Sequence, residues 1–132
     1  MLAVADTHAL VWYLLADPRL SKTARATFAQ AADSGEPIGV PAVCLVEIIY
    51  LTEKRRIPQE SLDKLRQQLS EAESVLVVLP LDQNIALAVQ RIERAAVPEL
   101  PDRVIAATAL YFGLPLITRD NEIKTSIVKT IW

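Results

Sequence analysis

Four of the 16 acidic residues in this 132-residue chain stand where an acid is out of keeping with its surroundings. Asp6 directly follows the apolar residues 2–5. Glu47 lies between Val46 and Ile48, and its neighbours at helical spacing are Val43, Cys44, Tyr50 and Leu51. Asp102 follows Pro101 and opens the segment RVIAATALYFG, while Asp120 comes just after Leu116, Ile117 and Thr118. Each has an ordinary role open to it. Asp6 and Asp102 can cap helices, Asp120 can form a turn beside Asn121, and Glu47 can snorkel or pair with a base. An ionised Glu on an apolar helix face is nevertheless costly unless paired or coordinated. Carboxylates brought close together raise one another's pKa, so they cannot all stay ionised without a cation. A hard divalent cation with oxygen ligands relieves that conflict, and Mg²⁺ bound this way suits phosphate substrates. The single His8 and single Cys44 supply no zinc-ligand set and no Cys-His or Ser-His-Asp nucleophile. His8 reads as a wall of the site or a helix-packing residue.

The surrounding elements must position these acids. Residues 2–5 read as a short buried strand. Residues 7–15 read as a helix ended by Asp17-Pro18, because the residue before Pro avoids the α region. Ser21 can cap a second helix running to about residue 33, which Ser34-Gly35 stops. Residues 38–40 form a minimal strand. Pro41 suits the first turn of a helix predicted to run to about residue 56. Pro58 opens another helix, with Glu60 in its first turn. Residues 75–79, closed by Pro80, give the clearest strand. Asp82 should cap a helix whose apolar face is Ile85, Ala88, Val89 and Ile92. Residues 103–112 read as a helix closed by Gly113, followed by a core strand at Leu116 and Ile117 and an edge strand at residues 130–132. Short apolar strands alternating with helices predict a parallel sheet covered on both faces. Ligands of such sheets bind beyond the carboxyl ends of the strands, where Asp6 and Asp120 fall.

Length and composition set outer limits. The chain suits one domain, residues 1–132, able to bury roughly two-thirds of its unfolded surface. One cysteine excludes an internal disulfide framework and points to a reducing compartment, the cytoplasm. No apolar run approaches the ~20 residues of a membrane span, and the start lacks a basic leader. A net charge of −2 argues against coating nucleic acid with a basic surface. With the four candidate ligands set aside, however, 14 basic residues face the other 12 acids. The negative balance is therefore better read as one concentrated acidic pocket.

ADTHALVWYL at the start, VEIIYL around Glu47, LPDRVIAATAL around Asp102 and LITRD at Asp120 together resemble the PIN-domain family. Within it the likeness is to the VapC-type toxins of bacterial and archaeal toxin–antitoxin pairs, in the right order over essentially the whole chain. The resemblance implies a PIN-like three-layer α/β/α sandwich with a short parallel central sheet. It also implies a metal-dependent endoribonuclease acting on single-stranded or looped RNA. The family's acidic cluster maps onto Asp6, Glu47, Asp102 and Asp120, which would bind one or two Mg²⁺ or Mn²⁺ ions. Those ions would activate water and stabilise charge on the phosphodiester. Thr118 matches the hydroxyl residue that accompanies the last acid. Glu99 is an auxiliary candidate, although many relatives carry an Asp-Pro pair where this chain has Glu99-Leu100. Pro41 stands where relatives often carry Ser.

Arg103 and Arg119 immediately follow two site acids and are the expected substrate-binding residues. Lys54, Arg55 and Arg56 read as a solvated helix end. The resemblance further implies a homodimer and a cognate small antitoxin that blocks the acidic pocket. The cluster Trp12, Tyr13, Leu14 and Leu15 exceeds what one helix face requires, which points to an interface. The alternative is a PIN-like binding or regulatory module without catalysis. A haloacid-dehalogenase-like phosphatase would need an Asp where His8 stands. A receiver domain would need paired acids at the first strand end, where Ala5 precedes Asp6.

Overall fold

In the computed structural model, which describes residues 1–124 and 126–132, the apolar stretches become strands and the capped segments become helices. In chain order the elements are β1 (Ala3–Ala5), α1 (Thr7–Leu14), α2 (Lys22–Ser34), β2 (Ile38–Pro41), α3 (Ala42–Glu53), α4 (Gln59–Ser70), β3 (Leu76–Leu79), α5 (Gln83–Ala88), α6 (Leu100–Phe112), β4 (Leu116–Ile117), α7 (Asn121–Lys124) and β5 (Thr130–Ile131). A 3-10 turn at Val89–Arg91 continues α5. The strands form one sheet in the order β3-β2-β1-β4-β5, and every neighbouring pair is parallel. From β1 the chain steps outward to β2 and β3, then returns across the sheet to β4. Right-handed crossovers therefore put α1 to α4 on one face and α5 and α6 on the other. The packing agrees in the main: α1 touches α2, α3 and α4, whereas α6 lies against α5, β1 and β2 and, of the first group, meets α3. This is the three-layer arrangement read from the sequence. Strand order reverses between β1 and β4, so the crevice of the sheet opens beside the ends of these two strands.

The expected caps form. Asp6 Oδ1 accepts from the Ala9 N–H at 2.9 Å, Ser21 Oγ from Ala24 at 3.0 Å, and Asp82 Oδ1 from Ile85 at 2.9 Å. Several boundaries differ from expectation. α3 ends at Glu53 because Arg55 turns to φ 56°, with its N–H bonded to Thr52 O and the Arg56 N–H to Leu51 O. α1 stops in the same way at Ala16, φ 51°, one residue ahead of the Asp17-Pro18 pair. Pro41 closes β2 and sits at the N-cap of α3 rather than inside its first turn. α6 begins at Leu100 with Glu99 at its N-cap, so Asp102 occupies the first turn instead of capping it. β3 is an edge strand with Val77 exposed. The short helix α7 had no sequence signal.

The apolar cluster of α1 proves to be core. Trp12 and Leu14 are buried, and the Tyr13 ring stacks on Phe28 with centroids 4.1 Å apart and planes within 7°. With three other helices packed against α1, burial within the fold accounts for Trp12 and Leu14, while Tyr13 and Leu15 are half-buried. Cys44 is buried as expected. Among the described residues, no helix is long and apolar enough to cross a membrane.

Candidate functional site

At the carboxyl edge of the sheet a cleft of about 400 Å³ collects residues from four distant segments. Asp6 comes from the end of β1, Glu47 from α3, Asp102 from the first turn of α6, and Asp120 from the chain leaving β4. Thr7, His8, Trp12, Arg19 and Arg119 complete its lining. Of the predicted residues, this brings together all four acids and Arg119.

Each acid is held in a particular way. Asp6 is only 8% exposed. Burial pushes its carboxyl above the ordinary range, while the Thr118 hydroxyl, the Ala9 N–H and nearby His8 pull it back and Asp120 raises it further. The capping and site roles of Asp6 thus coexist. Glu47 is fixed by Thr7, whose hydroxyl donates to Oε1 at 2.6 Å, the length of a charge-assisted bond. Asp102 is free of capping duty, and its carboxyl is pushed up to about 6 by partial burial and then by the charges of Asp120, Glu47, Asp6 and Glu99. Asp120 closes a turn, with Oδ1 accepting from the Glu122 N–H at 2.8 Å and its own N–H donating to Thr118 Oγ1 at 3.0 Å. Below the cleft, burial pushes the Cys44 thiol far up, and the acids add to the effect, so it is unreactive.

The donor set is all oxygen and strongly anionic. Among the described residues the salt bridges join Arg19 to Asp17 and Lys64 to Glu60, and neither involves the four acids. Among the described residues, no three Asp, Glu, His or Cys side chains converge tightly enough to ligate one ion as they stand. Carboxylates held close together repel one another, and a hard cation is the agent that would draw them inward. On donor chemistry and charge the residues fit Mg²⁺ or Mn²⁺.

Three candidates lie outside the cleft lining. Arg103 does not line the cleft: its guanidinium donates to Ile92 O at 2.6 and 3.1 Å and to Val89 O at 3.0 Å, tying α6 to the turn after α5. Successive helical positions lie about 100° apart, so a residue next to Asp102 faces elsewhere. Glu99 is exposed and reaches the site only through its charge on Asp102. Thr118 is buried beneath Asp6 and Asp120 as a supporting hydroxyl. Two cleft residues escaped the sequence reading. Thr7 could have been found as a hydroxyl directly beside Asp6. Arg19 could not, because it enters from the corner after α1.

The fold and this acidic cleft define a class, and comparison with known proteins names it. The chain belongs to the PIN-domain family, whose family model matches residues 3–125. It is 30% identical over 123 residues to Ribonuclease VapC22 of Mycobacterium tuberculosis, a match covering 91% of this chain and 88% of that protein. Solved structures with the same fold include VapBC2 of Rickettsia felis bound to a promoter DNA fragment, at TM-score 0.73 and 16% identity, covering 98% of this chain and 97% of that one. A toxin–antitoxin complex from Klebsiella pneumoniae follows at TM-score 0.64 and 23% identity, covering 98% and 96%. FitAcB of Neisseria gonorrhoeae matches at TM-score 0.63 and 21% identity, with the same coverage. At these identities the solved structures speak for the fold alone.

Proposed function

We propose that this protein is a divalent-metal-dependent endoribonuclease, the toxin half of a toxin–antitoxin pair. The observation that carries the reading is the gathering of Asp6, Glu47, Asp102 and Asp120 on one cleft, where burial and then the charges of its neighbours lift Asp102 to about 6. Similarity to a VapC ribonuclease supports the reaction class. In this reading the four carboxylates would hold one or two Mg²⁺ or Mn²⁺ ions, whose chemistry would be to activate a water and neutralise charge on the scissile phosphodiester. Thr7 orients Glu47, and the Thr118 hydroxyl steadies Asp6 and the Asp120 turn. Arg119 meets the substrate phosphates, a role its guanidinium suits. Glu99 adds negative potential at Asp102 from outside the cleft. The partners are a small antitoxin that covers the acidic cleft and a second copy of this chain, and the setting is the cytoplasm. The antitoxin found with the structural neighbour from Klebsiella pneumoniae favours the first of these partners.

The deciding experiment is cleavage of a single-stranded RNA panel with Mg²⁺, with Mn²⁺ and in EDTA. Cutting that needs the metal, and that fails in Asp6→Asn and Asp102→Asn, is the expected result. Unchanged cutting in EDTA, or full activity in either variant, overturns the mechanism.

A further inference from the structure

The cleft holds two cations that its acids leave alone. Arg19 and Arg119 share the cavity with Asp6, Glu47, Asp102 and Asp120, yet neither is ion-paired with any of the four among the described residues. Coulomb attraction by itself would draw a guanidinium onto such a cluster. Two sets of contacts hold the arginines back. Asp17, in the corner after α1, grips Arg19 in a fork, accepting from Nε at 3.0 Å and from Nη2 at 2.8 Å. The Arg19 backbone N–H donates to the same carboxylate at 2.8 Å. This fork uses one edge of the guanidinium and leaves the Nη1 edge for another acceptor. Trp12 carries both guanidinium groups over its ring, Arg19 at 5.0 Å and Arg119 at 4.8 Å from the centroid. The indole is itself nearly buried and packed against Trp132 and His8, with centroids 5.8 and 5.7 Å away. The seat is therefore packed in place on two sides, while the Arg19 side chain remains 60% exposed. The cleft is thus divided into a zone of oxygen donors and a zone of fixed, solvent-facing guanidinium donors.

We propose that Arg19, seated beside Arg119 on Trp12, positions the substrate by taking a backbone phosphate of the RNA strand that lies along the cleft. This assignment rests on the ribonuclease reading above. Asp17 and Trp12 touch no RNA in this scheme. They keep Arg19 out of the acid cluster and aim its unused edge at the strand, whose phosphate matches the planar donor set.

Two measurements test it. Anisotropy of a labelled single-stranded RNA is followed against salt in an Asp102→Asn background with Mg²⁺, so that the strand stays intact. Steady-state cleavage is followed in the otherwise native chain. Arg19→Gln should weaken binding roughly tenfold and flatten the log–log salt dependence by about 0.7, the value for one phosphate contact on a single strand. Arg19→Lys should recover part of the affinity. Lys64→Gln removes the same charge from the exposed pair with Glu60 on α4 and should change neither quantity. In cleavage, Arg19→Gln should raise KM by a similar factor while kcat falls far less. A native salt slope and KM in Arg19→Gln, with RNA still cut by the native chain, overturns the assignment and leaves the ribonuclease reading standing. Equal losses in Arg19→Gln and Lys64→Gln also overturn it, since net charge alone would then be at work. A native chain that neither binds nor cuts RNA overturns both.

Discussion

At the scale of single residues, the four acids were legible because each broke a local rule: an acid at a strand end, or on an apolar helix face. Arg103 was misread because adjacency in sequence is not adjacency around a helix, and its three bonds to the Val89 and Ile92 carbonyls make it structural. Arg19 was invisible because its place depends on a corner and on a ring seven positions earlier. The site chemistry also carries a cost that can be measured at Asp102. Its carboxyl titrates near 6 in the fold against an ordinary 3.8, so the metal-free fold binds a proton more readily than the unfolded chain does. Stability of the metal-free protein must therefore rise as pH falls from about 7 towards 4. Full conversion of that difference would be roughly 3 kcal/mol. Water reaching the half-exposed carboxyl screens it to something on the order of 1 kcal/mol. Asp102→Asn should make the metal-free protein more stable at pH 7.5 by about that amount and flatten the pH dependence, while cleavage falls by more than roughly 100-fold. Urea unfolding in EDTA at pH 5 and pH 7.5 checks the first part. A variant less stable than the native chain at pH 7.5 would contradict it.

At the scale of elements, strands and helices were readable where periodicity and caps agreed, and boundaries failed where a helix ends in an unannounced way. Gly35 and Gly113 end α2 and α6 in the left-handed region, a stop the sequence advertises. α1 and α3 close with the same pattern of backbone bonds, but the left-handed positions are Ala16 and Arg55, which carry side chains that crowd that conformation. No residue type there signals a stop, which is why α3 was read three residues too long. The residues 75–79 were likewise recognised as a strand, but nothing in a run of valines says whether a strand lies at the centre or the edge. Left-handed strain at a non-glycine residue costs about 1 to 2 kcal/mol, partly offset by the greater freedom glycine gives the unfolded chain. Arg55→Gly should accordingly raise stability by roughly 0.5 to 1 kcal/mol, and the melting temperature by about 2 to 3 °C. Ala16→Gly should gain a similar amount, with its effect on RNA affinity reporting whether the Asp17–Arg19 corner stays in place. A drop in melting temperature for Arg55→Gly would mean that its side chain contributes more than the strain removes.

At the scale of the whole molecule, the sheet order does what no local signal could. β1 and β4 are more than a hundred residues apart in sequence yet adjacent in the sheet, so Asp6 and Asp120 flank one crevice while α3 and α6 bring Glu47 and Asp102 across it. The alternation of strands and helices predicted a crevice of this kind, but the order of the strands had to come from the fold. In the metal-free molecule the burial of these acids, and to a lesser degree their mutual repulsion, opposes the very packing that assembles them, as the raised carboxyls of Asp6 and Asp102 record. An ion that binds all four segments should act on the stability of the entire fold, because the unfolded chain cannot present the same ligands together. A ligand selective for the folded state contributes about 2.7 kcal/mol when present at 100 times its dissociation constant. For a chain of this length that corresponds to a rise in melting temperature of about 8 °C. Mn²⁺ should produce such a rise in the native protein, Asp102→Asn should lose most of it, and Na⁺ at matched ionic strength should not reproduce it. Differential scanning calorimetry over a Mn²⁺ series checks all three. An equal rise in the native chain and in Asp102→Asn would place the ion somewhere other than the cleft, because removing one of its four carboxylates would have made no difference.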